Sequence, residues 1–423
     1  MKVIEEKPLL ALLLVPLIFA IMRGAYIPLV WPEKAAGQCI FPPYDGCGFI
    51  FDEAHYIPAV RRMLRGEAVN LEHPPLSKYL IILGILLLGD NPWGWRLPMV
   101  AFSALTVYLV GLIAYRLSGS IALGVAGQLL LAADVTFFNI GGLALLDPPA
   151  LALMMLSLYL YFTGRERWAG IALGLALLAK SSMYITAFLA FPLMAIAYPL
   201  VNYVRLDLAI QALRHVVRWI VLPAVLVFLI GLGAWNASIL VYPTPLHFMG
   251  FMLQYHSILS YQDPTRVELP LSWIIPPITR QPSPYFVAVA GNWRPIEFWG
   301  VSSPLWWSIW ILAPLSFSWV RRGRPLDKPC PELDLLSWTA ATYGAFLVIA
   351  YALKRWVYIF YFLQVSVFMA ALAPVILSRN GYAMLLKVLV LAQLLWMLLF
   401  LPAAPQWLAE LLNSLGLGEA PWM

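Results

Sequence analysis

Residues 71–118 read LEHPPLSKYLIILGILLLGDNPWGWRLPMVAFSALTVYLVGLIAYRLS. The stretch leaves a polar segment through Pro74-Pro75 and enters the apolar residues 76–88. It then passes Trp93, Trp95 and Arg96 and runs apolar again as far as Arg116. A helix that crosses a bilayer needs about 20 mainly apolar residues, and residues 97–117 supply them. The run 76–88 is too brief to cross comfortably and carries Lys78 and Asp90 near its ends, so it is expected to lie on the membrane or dip into it. Indole rings beside a cation at the mouth of a span suit the headgroup level. These 48 positions already place the chain among all-α integral membrane proteins.

The rest of the chain agrees. Hydrophobic residues make up 62% and charged residues 11% of the sequence, against about 25% charged in soluble domains. No water-facing globular surface can be built from that inventory. The formal net charge of +6 would point to nucleic acid in a soluble protein; here it belongs to basic inner loops, and no nucleic-acid partner is expected. About eleven spans are predicted, at 8–30, 97–117, 119–138, 147–163, 167–181, 183–202, 219–238, 303–320, 334–353, 356–378 and 382–402. The apolar run Leu9–Ala20 has no small-residue cleavage site after it and reads as the start of a retained first helix.

Orientation follows from Lys and Arg, which gather on the cytoplasmic side. With the N-terminus inside, the inner loops hold Arg116, Arg165, Arg167, Arg205, Arg214, Arg218, Arg321, Arg322, Arg324 and Arg379, while the short outer connections hold Lys180, Lys354 and Arg355. Residues 31–96 and 239–302 then form two outer loops, and residues 203–218 suit an inner-surface helix. No internal repeat divides residues 1–423, which read as a single integral domain in the cell membrane with its chemistry facing outward. Cys39 and Cys47 fall in the first outer loop, where an oxidising compartment favours a disulfide across the Pro42–Gly46 turn. Cys330, on the inner side, is expected to stay reduced. No Cys or His spacing makes a metal site.

The unusual polar residues sit in the outer loops. Asp52-Glu53 is an adjacent carboxylate pair ahead of a short predicted helix, 54–66. Adjacent side chains diverge, so one can face a cavity while the other orients a neighbour; the plain alternative is a pair of solvated acids capping that helix. His73-Pro74-Pro75-Leu76-Ser77-Lys78 sets an extended entry into a helix. Asp147-Pro148-Pro149 opens a span in the same way, with Asp147 as a plain cap the competing account. Lys180 reads as a snorkelling cation. An outer carboxylate beside arginines and an interfacial helix suits group transfer from a lipid-held phosphate. The phosphate departs as a stable anion, so one base for the acceptor proton and cations for the phosphate suffice.

The order Asp52-Glu53, His73-Pro74-Pro75-Leu76, Lys78, Trp95-Arg96, Pro98 and Asp147 resembles the protein O-mannosyltransferases of the GT-C class of membrane glycosyltransferases. Weaker echoes follow at Ser272-Trp273, Pro304-Leu305-Trp306-Trp307 and Lys354-Arg355 with Tyr358 and Tyr361. The resemblance implies a GT-C fold and an inverting transfer of mannose from dolichyl-phosphate-mannose to Ser or Thr hydroxyls of extracytoplasmic proteins, without a catalytic metal or other cofactor. It implies Asp52 as the acid at the acceptor, Glu53 as its companion positioning the acceptor, and Arg96 as the arginine on the donor phosphate. Lys78, Arg61, Lys354 and Arg355 are further candidates for that anion, and Glu72, His73, Asp147, His256 and Trp273 are candidate supporting residues. Family members often pair, so a dimer is an expectation, although no helix face declares a partner.

The sequence departs from the eukaryotic members in its second outer loop, too short for the soluble repeat domain that they carry there, which points to a prokaryotic, archaeal-type version. Two other classes stay open: a related GT-C enzyme passing another sugar from polyprenyl phosphate to a lipid or glycan, and a transporter.

Overall fold

The computed structural model describes residues 10–27, 49, 51–184, 186–261, 269–276, 287–288, 297–298, 300–320 and 330–399. The expected Cys39–Cys47 bridge lies outside them. Cys330 is a buried free thiol.

The decisive stretch folds as its pattern dictates. Leu76–Leu88 is a helix, Gly89 turns the chain at φ +87°, and Asn91 caps the helix Pro92–Ser118 by accepting from the backbone N–H of Trp93 at 2.9 Å and of Gly94 at 3.4 Å. The long helix spans about 40 Å at 1.5 Å per residue. The short one folds back against its first turns through glycine: a Cβ at Gly84 would collide with the carbonyl of Gly94, and one at Gly94 with the carbonyl of Gly89. The predicted helix after the carboxylate pair is Glu53–Leu64.

Among the described residues, four helices are long and apolar enough to cross a membrane alone: Pro92–Ser118, Leu206–Ile239, Pro331–Tyr351 and Ile359–Arg379. Shorter apolar helices lie at Leu14–Ala25, Leu76–Leu88, Ile121–Ala132, Thr186–Val201 and Ala383–Leu398. The helix Leu363–Arg379 is the central post, with every side chain from Leu363 to Leu377 buried. Ile21, Leu87, Ile230 and Met384 are exposed on the outside, the apolar exterior that a chain in lipid requires.

One expectation about helices changes. Residues 203–218 are not a separate surface helix; they continue into the next span as Leu206–Ile239, with a π-helical turn at Val217–Val221. At its start, exposed Arg205 and Asp207 form an ion pair at 2.7 Å. Within residues 239–302, Thr244 caps a helix at Pro245–Ile258 that the sequence reading did not assign.

Asp147–Phe162 and Glu166–Ala179 form a helical hairpin turned at Gly164, where φ is +74°. Their 16 and 14 residues reach only about 24 and 21 Å, short of a hydrocarbon core of about 30 Å. Asp147 and Lys180, at the open end of this hairpin, are both buried.

Candidate active site

Asp52 and Glu53 do divide their roles, because consecutive helical positions point about 100° apart. Glu53 is fully buried and turns inward: Arg96 donates to it through Nε at 2.8 Å and Nη2 at 2.7 Å, and the backbone N–H of Ala144 donates to its Oε1 at 2.8 Å. Arg96 also donates from Nη1 to the carbonyl of Ile27 at 2.7 Å. One ion pair thus ties the end of the first helix, the Asp-Glu segment, the long helix and the turn that leads into Asp147.

Asp52 faces the other way. It stands at the N-terminal boundary of the Glu53–Leu64 helix, but its carboxylate makes no cap hydrogen bond, so the plain capping account does not describe it. The side chain is half-buried. Desolvation raises its pKa, and the charges of Lys180 and then His55 pull it back down.

Lys180 is the residue that reading the sequence undervalued. It is not a snorkelling cation: it is buried, and its Nζ donates to Asp147 Oδ2 at 2.7 Å. The ammonium also lies 5.2 Å from the ring centre of Phe360 and 5.8 Å from that of Tyr361. Asp147 is correspondingly no simple cap. The signal was present, because an antiparallel hairpin of two short helices must bring residue 147 beside residue 180. Ser77 donates to the carbonyl of Leu146 at 3.1 Å, which fastens the interfacial helix to the same corner.

Next to this cluster is a cavity of about 250 Å³ lined by Leu259, Arg355, Trp356, Tyr358 and Tyr361. Tyr361 belongs to both places, since the charges of Arg355, Asp147 and Asp52 all act on its phenol. Two larger hollows, about 470 and 520 Å³, lie on the open rim around Trp93 and around the Arg61–Asp90 pair. They include none of the buried cluster.

The remaining sequence candidates sort by what they touch. Arg96, expected on the donor phosphate, is buried and donates to Glu53 and to the Ile27 carbonyl. Arg61 donates to Asp90 through Nε at 2.8 Å and covers the Trp95 ring. Lys78 is buried and turned back on its own loop, donating to the carbonyls of Asn70 at 2.5 Å and His73 at 2.9 Å. Its Nζ is 4.6 Å from the centre of Trp235; it holds the entry to the interfacial helix. Trp273 is fully buried against Phe346, Phe362 and Tyr343, which makes it core packing and not part of the cluster. Lys354 is exposed at φ +50°, and its carbonyl accepts from the N–H of Tyr261. The Glu72 side chain accepts from Asn70 at 2.7 Å. His73 lies between Tyr56 and His256, with ring centres at 5.9 and 5.3 Å.

Asp134 is a buried carboxylate that the sequence reading did not single out. Asp134 caps Val135–Ile140 by accepting from the N–H of Phe137, and also accepts from Ser303 at 2.7 Å and from Trp306 Nε1 at 2.6 Å. Through these contacts it fastens the Ser303–Trp306 segment to the start of Val135–Ile140.

Residues 86–251 match the family described as dolichyl-phosphate-mannose-protein mannosyltransferase. The polyprenol-phosphate-mannose–protein mannosyltransferase of Mycolicibacterium smegmatis is 38% identical over 112 residues, 25% of this chain and 22% of that protein. The protein of the same name from Corynebacterium glutamicum is 37% identical over 98 residues, 20% of this chain and 19% of that protein. The match thus spans about a fifth of the length of these relatives. Among solved structures, the protein O-mannosyltransferase Pmt1-Pmt2 complex of S. cerevisiae bound to the sugar donor superposes with a TM-score of 0.69 at 11% identity, over 100% of this chain and 93% of that one. ArnT from Cupriavidus metallidurans bound to undecaprenyl phosphate gives 0.58 at 16% identity, over 96% and 74%. The chain is a multi-pass membrane protein with the GT-C fold, and through residues 86–251 it is similar to the dolichyl-phosphate-mannose–protein mannosyltransferase family.

Proposed function

We propose that this chain transfers mannose from a polyprenyl-phosphate-mannose to Ser or Thr hydroxyls of extracytoplasmic polypeptides, with Asp52 as the base. The observation that carries the reading is the Asp52 carboxylate, which caps nothing and stands near Lys180 and Asp147, beside the cavity that Arg355 and Tyr361 line. The relatives' names supply the donor and acceptor classes.

The step balances as follows. The acceptor oxygen attacks the anomeric carbon and its proton passes to Asp52. The bond from that carbon to the phosphate oxygen breaks, and the lipid phosphate leaves with the electron pair. The face opposite the leaving phosphate is attacked, so the configuration inverts. A positioned base is worth about 10² to 10⁴ in rate. Lys180, by its charge, favours the ionised form of Asp52, and Asp147 holds Lys180 in place. Arg355 replaces Arg96 as the cation for the phosphate, because its guanidinium lines the cavity; an arginine meets phosphate through parallel hydrogen bonds. Side chains carry all the charge in this scheme, and no cofactor enters it.

The site must work at membrane level, since the donor stays in lipid while the acceptor comes from water. The buried open end of the hairpin, sheltered from water, suits that need. The positive-inside bias puts the N-terminus in the cytoplasm and the site outside. Whether two copies pair is read by mass in detergent or nanodiscs.

The test is a single-turnover assay with synthetic Ser/Thr peptides, purified full chain and polyprenyl-phosphate-mannose, read by mass spectrometry. Wild type should add one hexose. Asp52→Asn should lose at least about 10²-fold in rate while still binding donor. A near-normal rate in Asp52→Asn would remove Asp52 from the chemistry. Consumption of donor with no peptide product would favour a lipid or glycan acceptor.

A further inference from the structure

His256 ends the Pro245–Ile258 helix and touches two other elements at once. Its Nε2 is 3.1 Å from the carbonyl oxygen of Glu72, and its Nδ1 is 2.9 Å from Nη2 of Arg355. A carbonyl can only accept and a guanidinium can only donate. Both contacts are hydrogen bonds in one state alone: a neutral ring with its proton on Nε2 and a lone pair on Nδ1 aimed at Arg355. A protonated ring would turn an N–H toward a guanidinium N–H. Burial, and after it the Arg355 charge, keep the ring neutral and bring its pKa down to about 4, in agreement with the geometry.

The backbone around Arg355 and the near edge of its guanidinium are already fixed. Tyr261 N–H donates to the Lys354 carbonyl at 2.8 Å, Trp356 N–H donates to the Leu259 carbonyl at 3.1 Å, and Arg355 Nε donates to the His256 carbonyl at 2.9 Å. What remains to be set is the direction of the far edge of the guanidinium, and the contact that sets it is the one to Nδ1. Because Arg355 lines the cavity with Tyr358 and Tyr361, that direction decides whether an anion there meets one N–H or two.

We infer that His256 is a positioning residue that aims the Arg355 guanidinium at the phosphate of the lipid-linked donor through the lone pair on Nδ1, an inference that rests on the phosphate role proposed for Arg355. His256 itself touches neither the sugar nor the acceptor. The same ring, through Glu72, joins the second outer loop to the first, so the phosphate subsite is complete only when both loops are docked.

Two near-isosteres separate the ring's halves. Asn places its amide oxygen where Nδ1 accepts, whereas Gln reaches the Nε2 position and keeps the contact to Glu72. The backbone contact survives in both. Steady-state kinetics on the full chain with polyprenyl-phosphate-mannose should show a donor KM within about threefold of wild type for His256→Asn. For His256→Gln the donor KM should rise about tenfold, the loss of one charge-assisted hydrogen bond, with acceptor KM unchanged. In an Arg355→Ala background the Asn and Gln variants should be indistinguishable. Equal donor KM values for Asn and Gln in the Arg355 background, or a Gln effect that persists fully in Arg355→Ala, would overturn the inference while leaving the Arg355 reading in place. An Arg355→Ala enzyme with unchanged donor KM would sink the phosphate reading itself.

Discussion

Arg96 is the residue for which the sequence and the structure predict different failures. Its side chain is 1% exposed and that of Glu53 0%, and the two share a bidentate contact at 2.7 and 2.8 Å. Replacing Arg96 by Met strands a buried carboxylate that retains the N–H of Ala144, and the Ile27 carbonyl loses its donor as well. Breaking a buried pair from one side costs about 3–5 kcal/mol. At roughly 2 °C per kcal/mol for a large chain, the melting temperature in detergent should fall by about 6–10 °C. Asp52 is the next residue to Glu53, and Asp147 lies three beyond Ala144, so both move when the tie is cut. A displacement of about 1 Å can cost about 10² in turnover. The expected signature is therefore a lower melting temperature and a lower kcat, with donor KM nearly unchanged. Adding Glu53→Gln to Arg96→Met should restore part of the lost stability, since the second change removes the uncompensated charge. Thermal unfolding followed by intrinsic tryptophan fluorescence, alongside donor titrations, reads both quantities. If Arg96→Met melted like wild type and raised donor KM tenfold or more, the guanidinium would be on the phosphate and the structural tie would be wrong.

Lys180→Met should likewise destabilise by about 3–5 kcal/mol by stranding Asp147, and Lys180→Met with Asp147→Asn should recover most of that in the same melting assay; no recovery would mean that the pair is not coupled. Turnover should decline on the acid side at a pH above the ordinary carboxylate range of about 4, because burial raises the Asp52 pKa and the base must be ionised to act. Since Lys180 is the stronger of the two opposed charges at Asp52, ahead of Asp147, the double variant should move that limb to higher pH. A pH–kcat profile that is flat down to pH 4 would contradict the assignment.

The fold class was legible from composition and run length because lipid leaves no choice: a chain in hydrocarbon must satisfy its backbone within helices. The helix at residues 76–88 and the carboxylate pair before a short helix could both be read from local signals of period and capping. So could the divergence of Asp52 and Glu53, which consecutive helical positions enforce. What local signals do not carry is the partner. Arg96 lies 43 positions from Glu53 and Lys180 lies 33 from Asp147; each is a lone charge in an apolar run, and sequence alone assigns such a charge to the interface or to a ligand. Packing decides instead. Burial makes an unpaired charge too costly, so Arg96 and Lys180 are drawn to the carboxylates that the helix hairpin and the long helix bring within reach. Arg355 and His256 lie 99 positions apart, on segments that share no periodicity. Their contact is a property of the tertiary structure alone.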